Sequence, residues 1–257
     1  MATMVEAKVE AKGPTRRGAL PTHEQLRTAL ITAQQTDNGG LGFHMWATVV
    51  NRAGTVVSVA FSGAAVGDQW PGSRIISAQK ANTANGLSLD GLALSTANLY
   101  AAVQPGGSLF GLGESNPLNI HAAYDGDSAA VGTERDPMVG KQIGGITVFG
   151  GGLALYDATG RIVGGLGVSG DMSCADHNIA WKVRHLLELD YVPSGVDPVK
   201  KLRDSKDDNI VYDLDPKTDK SKSGWGHPTC SAGTTKVAKA LPTDYPIRRP
   251  STPARGR

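Results

Sequence analysis

Two short motifs hold the residues best suited to chemistry. Cys174-Ala175-Asp176-His177 reads C-x-x-H, and His227-Pro228-Thr229-Cys230 is its reverse. Together they offer two thiolates and two imidazoles, enough for a closed tetrahedral zinc site. The same pair of cysteines, the only two in the chain, could instead form one disulfide, or the motifs could sit in unrelated loops; spacing alone does not choose. Cys174 falls at a helix start, where the backbone dipole favours a thiolate. With His177 it forms a minimal nucleophile pair, without an identified third group or oxyanion hole. Gly165, Gly167 and Gly170 match G-x-G-x-x-G, with Asp190 further on, but no regular βαβαβ series surrounds them. Glu114, His121 and Asp125 lie in a long loop. There they are acid/base candidates under a lid (residues 108–137) acting on a small organic acid, or simply polar loop residues.

These residues need elements to position them. Thr22 and Gln25 fit a capping box, and Leu26, Ala29, Leu30 and Ala33 form one apolar stripe, so a helix is expected up to Asn38-Gly39-Gly40. Residues 43–50 and 55–61 read as a hairpin rich in Val and Thr. Ser73 can cap a helix carrying Ile75, Ile76 and Ala78, and a third helical stretch is expected over 92–103. Residues 105–141 are Gly-rich and aperiodic. Strands are expected at 143–149, 153–156 and 162–168, followed by a helix from Ser173 with Ile179, Val183, Leu186 and Leu187 facing the core. His177, Trp181, Arg184 and His185 share the other face of that helix, as a solvated or an interface surface. Strands joined by tight turns imply an antiparallel sheet with helices packed on it, an α+β fold. The domain organisation expected is a disordered tail at 1–20, a domain at 21–192, a charged extension at 193–232, and a Pro/Arg-rich tail at 233–257, disordered from Pro242 on.

Composition limits the function. Among 257 residues, 26 Lys plus Arg face 24 Asp plus Glu, for a net charge of +2, and aromatics are 5%. That balance argues against a nucleic-acid partner, which needs a basic surface or stacking platforms. No run of 18 apolar residues exists to span a membrane. Residues 1–18 have no apolar core of a secretory signal, so the cytoplasm is expected, or the periplasm or exterior if a signal was removed.

Lys80-Ala81-Asn82-Thr83-Ala84, Ile143-Gly144-Gly145, Gly150-Gly151-Gly152-Leu153 and above all Val163-Gly164-Gly165-Leu166-Gly167-Val168-Ser169-Gly170 resemble the GlcG/HbpS haem-binding family, which includes the C-terminal domain of PduO. The resemblance covers about residues 23–189. It implies a profilin-like α+β fold, a homo-oligomer, and a haem pocket near a subunit interface. The axial ligand in relatives falls on a His just before the first strand or on the Thr of K-A-x-T-A, here His44 or Thr83. With no C-x-x-C-H motif for covalent attachment, haem b bound non-covalently is implied, for storage, redox sensing or catalysis. A neutral hydroxyl is a poor iron ligand, and Thr83 can instead bond its own helix backbone. Strand alternation sends His44 and Trp46 to one face, as ligand and wall. Arg74 and Lys80 could pair with a propionate or a substrate carboxylate, or lie on a solvated helix face. The extension after Val192 and the length of 105–141 depart from the short family pattern. The extension could wrap a neighbouring subunit.

Overall fold

Thr22 begins the order seen in the computed structural model, which describes residues 19–196 and 207–250. Its hydroxyl accepts the Gln25 N–H while the Gln25 side chain accepts the Thr22 N–H, and helix α1 runs His23–Gln34. Strands β1 (Trp46–Asn51) and β2 (Val56–Phe61) form the expected hairpin. Helix α2 (Gly72–Leu87) follows, capped at Pro71 rather than Ser73. A one-turn helix, α3 (Ile120–Tyr124), interrupts the long loop. Strands β3 (Gly152–Tyr156) and β4 (Ile162–Ser169) precede helix α4 (Ser173–Leu186) and helix α5 (Ala232–Asp244). The sheet is antiparallel with order β2-β1-β4-β3. This is the α+β fold expected.

The sheet is the middle of three layers, and period-2 alternation assigns its faces. Met45, Ala47, Val49, Leu153, Leu155, Leu166 and Val168 pack with Leu26 and Leu30 of α1 and with Ile179, Trp181 and Val183 of α4. Trp46, Val50, Val56, Val59 and Phe61 turn to the opposite face, against Ile75, Ala78 and Ala81 of α2. The glycines of β4 explain how closely α2 lies on the sheet. A Cβ at Gly167 would collide with the Ser77 carbonyl, and one at Gly165 would lie 2.9 Å from the Asn85 Cβ.

Several outward-facing groups on the sheet margins are occupied. On β2, His23 Nδ1 lies 2.6 Å from the Val59 carbonyl and Arg27 Nε donates to that of Phe61 at 3.1 Å. On β3, the Gly152 N–H donates to Thr96 Oγ1, the Ala154 carbonyl accepts Arg184 Nη1, and the Tyr156 N–H donates to Leu189.

Several elements differ from the sequence expectation. Residues 143–149 do not form a strand: Gly144 and Gly145 take φ of +66° and +74°, and the segment is tied to α2 by Asn82 Nδ2 to the Gly145 carbonyl and Thr147 N–H to Thr83 Oγ1. Residues 92–103 form two 3₁₀ turns, Thr96–Leu99 and Ala101–Val103, instead of a helix. Ser95, Thr96 and Asn98 side chains bond locally and to Phe149 and Asn209 backbone, competing with helical pairing. Residues 232–244 form α5, whose last turn enters the stretch from Pro242 on that the sequence suggests is disordered. Ser231 caps it in a box with Thr234. Pro242 removes the bond to Ala238, whose carbonyl is satisfied by Asn209 Nδ2 at 2.9 Å. The described part of the extension packs on its own chain's α4. The expectations for residues 1–18, 197–206 and 251–257 lie outside the described residues. Among the described residues no helix is long and apolar enough to cross a membrane.

Candidate functional site

His44 sits in the loop entering β1 and is exposed. Its Nδ1 lies 3.3 Å from Ser62 Oγ, which also accepts the Met45 N–H at 2.8 Å. Its Nε2 has no hydrogen bond among the described residues. The His44 ring is 6.1 Å from the Phe61 ring, on whose other contact Trp46 stacks at 4.4 Å. His44 and Trp46 therefore do converge on one aromatic neighbour, but Trp46 is fully buried and forms core rather than an open wall. The same loop exposes Leu41 and Phe43, at 56% and 40%, and the Phe43 ring packs edge to face at 5.4 Å on Trp70, which is 55% exposed. Backbone N–H groups of Ala65 and Ala64 hold the nearby exposed Asp68 carboxyl below its ordinary range.

The loop is fixed from below. The Asp171 carboxylate accepts the Leu41 N–H at 2.7 Å and the Gly42 N–H at 2.9 Å. Gln69 Nε2 donates to the His44 carbonyl at 2.6 Å and also bridges to the Gly170 carbonyl. Nothing in the sequence singles out Asp171, Ser62, Gln69 or Trp70. No local pattern marks them, since each reaches His44 or its loop through tertiary folding.

Arg74 and Lys80 belong to the interior, which corrects the solvated-face expectation. Arg74 forms a two-pronged pair with Asp136, and its remaining terminal nitrogen donates to the Ala123 carbonyl at 3.1 Å. Asp136 also accepts the Gly132 N–H, seating that loop against Trp46. Lys80 is fully buried, donates to Asp176 at 2.7 Å and to the Val168 carbonyl at 3.0 Å, and lies 5.1 Å from the Phe149 ring centre. Burial pushes the Lys80 ammonium down, and pushes Asp176 up to about 6 against the opposing pull of Lys80. Both cations already have internal carboxylates. Thr83 donates to the Gln79 carbonyl at 2.7 Å and accepts the Thr147 N–H at 2.9 Å, so its hydroxyl is engaged.

The two Cys/His motifs do meet, through a disulfide. Cys174 and Cys230 are bonded, so neither offers the thiolate required for zinc or for a nucleophile. His227 donates from Nδ1 to the Pro228 carbonyl at 2.7 Å, and His177 Nε2 lies 3.1 Å from Asn209 Oδ1. Burial lowers both imidazoles to about 4. Among the described residues no group of three or more His, Cys, Asp or Glu could hold a metal ion. The polar face of α4 is likewise interior: His177, Trp181 and Arg184 are buried under the extension and α5, while Leu186, expected in the core, is exposed. In the long loop, His121 and Asp125 form an exposed i,i+4 pair, and Glu114 is exposed.

The chain is a three-layer α+β domain with an exposed imidazole at the entry to its first strand. Residues 22–184 match the family described as haem degrading protein HbpS-like, and the chain belongs to that family. The match runs from the α1 cap into α4 and leaves the extension outside it. Among solved structures the chain is similar to a PduOC–heme complex, with 26% identity, TM-score 0.44, and coverage of 65% of this chain and 94% of that one. It is similar also to the Klebsiella pneumoniae protein ORFY, with 22% identity, TM-score 0.43 and coverage of 70% and 97%. A double mutant of HbpS from Streptomyces reticuli gives 18% identity, TM-score 0.39 and coverage of 73% and 97%. Comparison with curated proteins gives no match.

Proposed function

We propose that this chain binds haem b non-covalently at the surface formed by His44, Phe43 and Trp70. One observation carries the reading: an exposed imidazole whose Nδ1 lies 3.3 Å from Ser62 Oγ, with Nε2 open, belongs to the same short loop as the exposed Phe43 ring, which packs on the exposed Trp70. Haem iron takes a neutral imidazole oriented through its second nitrogen, and the macrocycle needs apolar surface. Each Å² buried supplies about 25 cal/mol before ordering costs. Family membership supports haem as the ligand. The engaged hydroxyl of Thr83 favours His44 over Thr83 as the axial group. When bound, haem would supply ligand-exchange or redox chemistry, and His44 would set its electronic state.

An open surface fits reversible holding, as in storage or redox sensing, better than a catalyst that must exclude water. A second copy of the chain covering Phe43 and Trp70 would complete the enclosure. The test is a hemin titration of wild type and His44→Ala, followed in the Soret region. Wild type should give a saturable band; His44→Ala should bind several-fold more weakly with a shifted band. Absence of a saturable band in wild type overturns haem binding. Progressive loss of the band in the presence of a reductant and oxygen would place haem turnover, rather than holding, at this site.

A further inference from the structure

We infer that Asp171 is a positioning residue for His44, acting through the loop before β1. This rests on the haem reading for its purpose, but its geometry stands alone. Residues 41–44 are exposed and belong to no strand, and Gly42 adopts φ of +78°. Such a segment needs an anchor to present a side chain in one place. The Asp171 carboxylate provides it by accepting the N–H groups of Leu41, Gly42 and Met172 at 2.7, 2.9 and 2.6 Å. Gly40 passes so close that a Cβ there would lie 2.7 Å from Asp171 Oδ2. Charge-assisted bonds of this kind are the strong ones.

Asp171 is itself held. Its N–H donates to Asp176 Oδ1 at 2.8 Å, and Asp176 Oδ2 pairs with Lys80 at 2.7 Å. The buried lysine of the K-A-x-T-A motif thereby connects to the candidate ligand through two carboxylates and a loop, rather than by touching the cofactor. Gln69 secures the other side of the loop, at the His44 carbonyl.

The test uses the full chain with Asp171→Ala and Asp171→Asn, the latter retaining shape and one acceptor oxygen in case the alanine variant does not fold. In the haem-free protein, amide hydrogen exchange at Leu41 and Gly42 should rise at least about tenfold in Asp171→Ala and less in Asp171→Asn, with core amides of β1 unchanged. With hemin, Asp171→Ala should shift the Soret band in the same direction as His44→Ala, free imidazole should reverse the shift, and the double variant should match His44→Ala alone. Unchanged exchange in both variants overturns the clamp. If His44→Ala shifts the band while Asp171→Ala and Asp171→Asn do not, positioning is overturned while the haem reading stands. If exchange rises but no variant, His44→Ala included, moves the band, the loop clamp stands and the assignment of His44 as ligand falls, taking the positioning role with it.

Discussion

The Asp208 carboxylate accepts both terminal nitrogens of Arg184, each at 2.7 Å, with neither side chain exposed. The pair joins the extension to α4, and Arg184 Nη1 also reaches the Ala154 carbonyl of β3. Asp208→Ala leaves a guanidinium buried without its counter-charge and should cost about 3–5 kcal/mol. Replacing both partners, Arg184→Met with Asp208→Leu, should cost clearly less. Urea midpoints of the three proteins decide this; equal losses would show that the charge itself is not what matters.

The disulfide between Cys174 and Cys230 fastens α5 and the extension to the start of α4 across a sequence separation of 56. A closed loop of that length contributes about 4 kcal/mol through the unfolded chain. Cys230→Ser, or a thiol reductant on wild type, should lower the melting temperature by several degrees. A melt insensitive to reductant, with two thiols titrated in the untreated protein, would refute the bond.

Gly167→Ala should be among the most damaging single-methyl additions, since the new Cβ meets the Ser77 carbonyl of α2 with no flexible side chain to yield. We expect a loss of roughly 2 kcal/mol or more. Gly67→Ala, where a Cβ meets open space, is the control. Comparable stabilities in chemical denaturation would contradict the close approach of α2 to β4.

Acid should weaken the fold below the ordinary imidazole range. His177 and His227 are held neutral until about pH 4 by burial, whereas the unfolded chain protonates them near 6.5. Protons then favour the unfolded state, and stability falls as the pH drops from about 6.5 to 4, by up to roughly 3 kcal/mol for each ring. Asp176 acts in the opposite sense: its folded value of about 6 exceeds 3.8, so between those values the folded chain binds the proton first. Two rings outweigh one carboxyl. Denaturation at pH 7 and 4.5 should show a smaller decline for His177→Gln/His227→Gln than for wild type; parallel declines would assign the effect elsewhere.

What could be read in the sequence was local. The Thr22–Gln25 box, the β1–β2 hairpin and the glycine-rich β4 each depend on neighbours within a few residues, and the structure has all three. The misses were tertiary. Residues 143–149 have strand composition but spend their backbone bonds on α2 and elsewhere, and the polar face of α4, open to a solvated or an interface reading, is covered within its own chain because the carboxylate opposite Arg184 lies 24 residues away in a charge-dense stretch. Lys80 was visible as a candidate cation; its burial beside Asp176, 96 residues on, was not. For the candidate site, His44 came from family resemblance, while Ser62, Trp70 and Asp171 reach His44 or its loop only through the fold.

The groups that cover the Val59 and Phe61 carbonyls of β2 and three backbone groups of β3 also constrain assembly. His23 and Arg27 on one margin, and Arg184, Thr96 and the Leu189 carbonyl on the other, leave these positions closed to a foreign strand. A strand from another copy would therefore have to displace these partners before it could pair at those positions, which disfavours edge-to-edge ribbons there and with them one common route to fibrils.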